Sequence, residues 1–122
     1  MRSSIQDLPL AAEMPEGTVR QTSLGGMTIE AGQFQQDFDG ESLGKGLPDG
    51  RCQCPHWGYV VKGLMRLRFA DHEETCRAGD VYYAPPGHIP FIEAGCEYIE
   101  FSPTDEYNKT MEAISHNQSA GQ

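Results

Sequence analysis

Cys52-Gln53-Cys54-Pro55-His56-Trp57-Gly58-Tyr59-Val60-Val61-Lys62-Gly63 places two thiols and an imidazole close together, then runs into an aromatic and β-branched segment. That second half reads as a strand, because Trp57, Tyr59, Val60 and Val61 suit a pleated, partly buried surface. If the extended conformation reaches back to Cys52, alternation puts Cys52, Cys54 and His56 on one face. Trp57 and Tyr59 then lie on the opposite face, which predicts outer packing or a subunit contact.

The flanking sequence predicts more strands. Thr18 to Leu24 and Met27 to Phe34 read as a pair joined by Gly25-Gly26, preceded by an irregular lead-in over residues 1–17 with Pro9, Pro15 and Gly17. The glycine-rich stretch from Asp37 to Gly50 reads as a loop. Beyond Gly63, Met65, Leu67 and Phe69 alternate with Arg66 and Arg68, a half-buried strand whose arginines face water. A polar hairpin at Asp71-His72-Glu73-Glu74 turns the chain back through Thr75 to Ala78. Gly79 to Ala84 is a turn and strand stopped by Pro85-Pro86-Gly87, and His88 to Glu93 and Glu97 to Phe101 are two more. Short strands with frequent turn signals point to a β-sandwich or barrel. Ser102-Pro103-Thr104-Asp105-Glu106 has the cap, proline and acids of a helix start. Tyr107, Met111 and Ile114 give that helix, expected over about residues 103–116, one apolar stripe. The tail from Asn117 is expected to fray.

Bulk properties narrow the function. At 122 residues the chain has the size of one domain, 1–122. The formal charge of −9 would repel phosphates, which sets nucleic acid aside. No apolar run approaches the ~20 residues of a membrane span, and the N-terminus lacks a signal-type apolar core. A cytoplasmic location follows, where four cysteines are better read as ligands, packing residues or reactive groups than as disulfides.

These residues resemble the cupins, small jelly-roll barrels with two sheets closed over a central pocket. Cupins carry the motifs G-x5-H-x-H-x3–4-E-x6-G and G-x5-P-x-G-x2-H-x3-N. Gly63 fits the closing glycine of the first. His56 stands where a cupin has its glutamate, Cys52 at the second histidine, and Gly50 at the first. Gly79, Pro85 and Gly87 match the second motif in spacing; Pro90 takes its histidine position, and His88 follows Gly87 directly. None of the four usual ligand positions keeps its usual residue type, so the resemblance, over about residues 27–102, implies a fold and a metal-capable pocket rather than a reaction. It implies an all-β cupin jelly roll with core about 18–102 and a short C-terminal helix. It also implies a homodimer.

The candidate metal ligands are His56, His88, Cys54 and Cys52. Imidazole and thiolate donors suit a divalent transition metal, Zn(II) first, then Fe, Ni or Cu. In a straight strand, Cys52 and His56 lie about 13 Å apart at Cα, too far to share an ion. Either Cys54 and His56 ligate and Cys52 stands off, or a bulge at Pro55 brings Cys52 in. His88, past the Pro-Pro-Gly corner, is the partner from across the barrel.

Each donor alone is more simply a buried cysteine or a hydrogen-bonded histidine; the cluster together favours metal. Packing is the expected role of Cys76 and Cys96, and solvent exposure that of His72 and His116. One of Tyr82 and Tyr83 should face the interior. Three functions follow: a metal-dependent enzyme acting on a small polar metabolite, a non-catalytic module that binds or senses a metal or small ligand, and a thiol redox protein. No residue stands out as a general base.

Overall fold

Ten strands and one helix are laid out in chain order: β1 (Leu10–Met14), β2 (Gly17–Leu24), β3 (Met27–Phe34), β4 (Phe38–Asp39), β5 (His56–Lys62), β6 (Leu64–Arg68), β7 (Glu73–Arg77), β8 (Val81–Ala84), β9 (Ile89–Ile92), β10 (Glu97–Pro103) and α1 (Thr104–Ala120). The computed structural model describes residues 1–120, with side chains through Ile114. The strands form two antiparallel sheets, one in the order β1-β2-β3-β10-β5-β8 and the other β4-β9-β6-β7. No helix among the described residues is long and apolar enough to cross a membrane.

The expected strands form where alternation and turns placed them. The β2–β3 hairpin turns at Gly25-Gly26, with φ of 59° and 82°, a left-handed conformation that glycine adopts without steric cost. Met65 and Leu67 on β6 point inward and are almost wholly buried. Arg66 and Arg68 face outward, Arg66 pairing with Glu93 and Glu73 and Arg68 with Asp39. Trp57 and Tyr59 face outward from β5, at 46% and 42% exposure. Phe34, Val60, Met65, Leu67, Ala84, Ile92 and Tyr98 form one buried cluster together with Cys76 and Cys96, both buried as packing residues.

Three expectations change. The lead-in is not irregular throughout: β1 pairs with β2, with Met14 opposite Gly17 across a two-residue turn. Ala12 and Met14 turn inward about the exposed Glu13, the register shifts between Leu10 and Ala12, and the prolines only bound the strand. The loop from Asp37 opens with the short β4, paired to β9 through Phe38 and Ile92. The helix starts at Thr104, because Pro103 still belongs to β10, opposite Met27. It extends to Ala120, past Asn117 where fraying was expected, and of the expected stripe Tyr107 and Ile114 are buried while Met111 is 42% exposed. The side chain of His116 and residues 121–122 lie outside the described residues.

Candidate metal centre and its cavity

Cys52, His56 and His88 come together, with one donor atom from each lying within 4.8 Å of the others. The backbone explains how. The strand does not reach back beyond His56, so residues 52–55 are free to bend. Cys52 instead forms an isolated antiparallel bridge with His88: its N–H donates to the His88 carbonyl at 3.0 Å, and the Gly87 N–H donates to the Cys52 carbonyl at 2.8 Å. Gly87, at φ 99°, makes the turn that allows this pairing. Of the two arrangements the spacing allowed, the chain adopts the bend that brings Cys52 in.

Cys54 is not brought in. It is 1% exposed, its thiol directed at the Pro55 carbonyl at 3.6 Å and at the Ser102 hydroxyl, and it does not join the donor cluster. The expectation that Cys52, Cys54 and His56 share one face fails because it assumed an extended backbone that stops at His56.

Hydrogen bonds orient both rings for ligation. The His88 Nδ1 lies 2.8 Å from the Pro85 carbonyl, which can only accept, so Nδ1 carries the proton and Nε2 keeps its lone pair. The His56 Nδ1 lies 2.6 Å from the Ser102 hydroxyl, while its Nε2 lies 3.8 Å from the Cys52 sulfur. The two ring centroids are 4.8 Å apart. A ring nitrogen held from behind by an oxygen, with the other nitrogen turned to a shared point, is how protein metal sites fix histidine ligands. Burial pushes His88 down to about 4 and lowers His56, which favours the neutral imidazole, the form able to donate to a metal. Burial pushes Cys52 up to about 11 and Cys54 up to about 12. The donor set therefore fits a transition metal, with Cys52 losing its proton on binding.

The cluster opens on a cavity of about 410 Å³. Two carboxyls line it that the sequence reading missed, Glu30 on β3 and Glu100 on β10. Both are raised to about 7, chiefly by burial, with the Glu100 charge contributing to the rise at Glu30. The Tyr82 hydroxyl donates to Glu100 at 2.6 Å, and the Tyr98 hydroxyl donates to Glu30 at 2.7 Å. From α1, the Tyr107 hydroxyl donates to the Gln21 Oε1 at 2.5 Å and also lies 3.2 Å from Glu30. Each tyrosine ring covers a glycine on the neighbouring strand: Tyr82 lies over Gly58 and Tyr98 over Gly32, where any Cβ would strike the ring. Tyr82 is thus the inward member of its pair, and Tyr83 points out and stacks on Trp57.

A signal for the acids was present. Each has an apolar residue on either side, Ile29-Glu30-Ala31 and Ile99-Glu100-Phe101, although the sequence alone does not give its phase. His72, in the exposed hairpin, bonds Asp71 and takes no part in the site. The rest of the cavity wall is mainly apolar, at variance with the polar metabolite expected from the donors alone.

Two sheets closed over a pocket with histidine donors at its wall define the fold as a cupin jelly roll, and solved structures agree. A protein of unknown function from Rhizobium leguminosarum bv. viciae is 19% identical, with a TM-score of 0.59 over 84% of this chain and 95% of that one. An RmlC-like cupin from Shewanella frigidimarina is 14% identical, with a TM-score of 0.57 over 83% of this chain and 88% of that one. An oxalate decarboxylase is 16% identical, with a TM-score of 0.58 over 83% of this chain but only 28% of that one. At such identities the likeness concerns the fold alone. No protein-family model and no curated protein matches the sequence.

Proposed function

We propose that the chain is a metal-dependent enzyme acting on a small molecule held in the barrel cavity, with Cys52, His56 and His88 as ligands. The observation that carries this reading is that, among the described residues, three protein donors rather than four converge beside a cavity with two carboxyls. Three ligands leave a coordination position for water or substrate, the pattern of catalytic rather than structural zinc sites. A bound divalent ion would supply Lewis acidity there, Zn(II) being the first choice for a sulfur and two nitrogens. The chain's own groups do the rest. Glu100 and Glu30, titrating near 7, are suited to take or return a proton close to neutral pH, and Tyr82 and Tyr98 hold their oxygens in place.

Cys54, outside the cluster, argues against the coordinatively full site of a purely binding or sensing module. The redox alternative finds little support, because burial raises rather than lowers both thiols. Four free cysteines favour the cytoplasm.

A homodimer belongs to the same reading. Trp57 and Tyr83, stacked at 5.1 Å, form an exposed apolar patch with Tyr59, Val81 and Phe101 on neighbouring strands, beside the edge strand β8. Light scattering should give twice the chain mass at micromolar concentration; a single-chain mass removes the dimer.

The test of the site is elemental analysis of protein purified without added metal, followed by chelation and titration with Zn(II). About one equivalent is expected for wild type, and His56→Ala, His88→Ala or Cys52→Ala should each weaken binding at least about tenfold. Cys54→Ala should not. Zn(II) binding that survives all three ligand substitutions would sink the assignment.

A further inference from the structure

We infer that the cavity selects a small, uncharged amphipathic molecule, with a mainly apolar body and one or two hydroxyl or carbonyl oxygens at one end. This rests on the reading of the cavity as a substrate site and names the substrate class.

The first support is composition. Away from the donors and acids, the wall is built from side chains such as Phe34, Phe38, Leu43, Leu47, Met65 and Leu67. A sugar or other polyol placed there would turn several hydroxyls toward carbon, each losing its water without gaining a partner. The second support is charge. Among the described residues no lysine or arginine lines the cavity, while Glu30 and Glu100 do. In the metal-free protein a carboxylate or phosphate on the ligand would be buried beside two acids with no side-chain cation to offset it.

The third support is the arrangement of the two kinds of surface. Glu30, Glu100 and His56 come from β3, β10 and β5 of the six-stranded sheet, and Cys52 and His88 join them at one wall. Phe38, Met65 and Leu67 come from β4 and β6 of the other sheet, and Leu43 and Leu47 from the segment that follows β4. Met14, Val19 and Phe34 of the six-stranded sheet add carbon beside them, so the polar groups form one cluster in an otherwise apolar wall, and a molecule with an oxygen head and a carbon body matches it. The volume, about 410 Å³, lies within the usual range for small-molecule sites.

Matched probes test this by calorimetry on the full chain, first chelated and then loaded with Zn(II). The probes are 4-propylphenol, 4-propylbenzoate and the polyol glucitol. In chelated protein at pH 7.5 the phenol should bind at least about tenfold tighter than the benzoate, and glucitol should give no heat. Leu43→Gln should weaken the phenol several-fold, because it places an amide against the apolar body. The Glu30→Gln/Glu100→Gln double variant should narrow the gap between phenol and benzoate, because it removes the like charges.

Benzoate or glucitol binding to the chelated protein as tightly as the phenol overturns the inference. So does an absence of phenol binding at millimolar concentration, or phenol binding indifferent to Leu43→Gln. If Zn(II) fails to bind while the probe order holds, the metal reading falls and the ligand class stands. If Zn(II) binds as expected and the probe order fails, the ligand class falls alone.

Discussion

Leu67 on β6 and Glu100 on β10 line the same cavity from opposite sheets, and both are nearly sealed from solvent, at 1% and 7% exposure. Leu67 has the company that burial favours: Met65, Ile92 and Phe38 on the inner face of the four-stranded sheet. Glu100 has Glu30, His56, Ser102, Tyr82 and Tyr98 on the inner face of the six-stranded one. The first set is explained by transfer of carbon from water. The second works against folding, since each buried polar group must find a partner and each buried acid must stay protonated or pay in desolvation. Polar groups this well paired by hydrogen bonds, on a sheet that also packs Phe34, Val60 and Ala84 into the core, are where stability has been exchanged for a site.

The sharpest way to break that comparison is to shorten the apolar side. Leu67→Ala should cost about 2–5 kcal/mol in urea unfolding while leaving Zn(II) stoichiometry unchanged in the folded fraction. A cost below about 1 kcal/mol would mean the cavity already relieves packing at Leu67, and the apolar face would not be the structural half.

Neutralising the polar side should act in the other direction. Each acid has a folded-state value of about 7 against an ordinary 4.5, so between those pH values the metal-free folded protein binds its proton more tightly than the unfolded chain. The stability contributed by these groups is full below pH 4.5 and falls as pH rises through 7. Glu30→Gln/Glu100→Gln should therefore flatten the slope and stabilise the chelated protein at pH 8 by on the order of 2 kcal/mol. Parallel wild-type and variant curves from pH 5 to 8 would show that the acids are ionised throughout.

The same contrast explains what could be read from the sequence. Leu67 was legible because Met65-Arg66-Leu67-Arg68 alternates without conflict, and an apolar residue in such a pattern can only face inward. Glu30 and Glu100 were not, since an acid on a strand is ordinarily assigned to the wet face. Their inward phase becomes visible only when β3 and β10 are paired and both flank the cavity. The donor cluster was half legible for a related reason. His56 and His88 follow from strand phase and the Pro-Pro-Gly corner. The choice of Cys52 over Cys54 depends on the long-range bridge between Cys52 and His88, which bends the chain ahead of His56 and turns the Cys54 sulfur toward Ser102. Strand β1 was masked by Pro9 and Pro15, which bound it rather than interrupt it.

Ser102 gives the smallest and most discriminating test, because it sits on the polar face yet touches the cluster only through His56. Its hydroxyl lies 2.6 Å from the His56 Nδ1 and holds the ring from behind, with Nε2 directed toward the Cys52 sulfur. Ser102→Ala removes the oxygen and lets the ring rotate or change tautomer, so Zn(II) affinity should fall about tenfold. Stability of the chelated protein should change by no more than about 1 kcal/mol, the usual scale for one hydrogen bond. Ser102→Thr, which keeps the hydroxyl, should restore most of the affinity. If Ser102→Ala lowers stability but leaves Zn(II) affinity intact, packing alone orients His56, and this part of the polar face serves the fold rather than the metal.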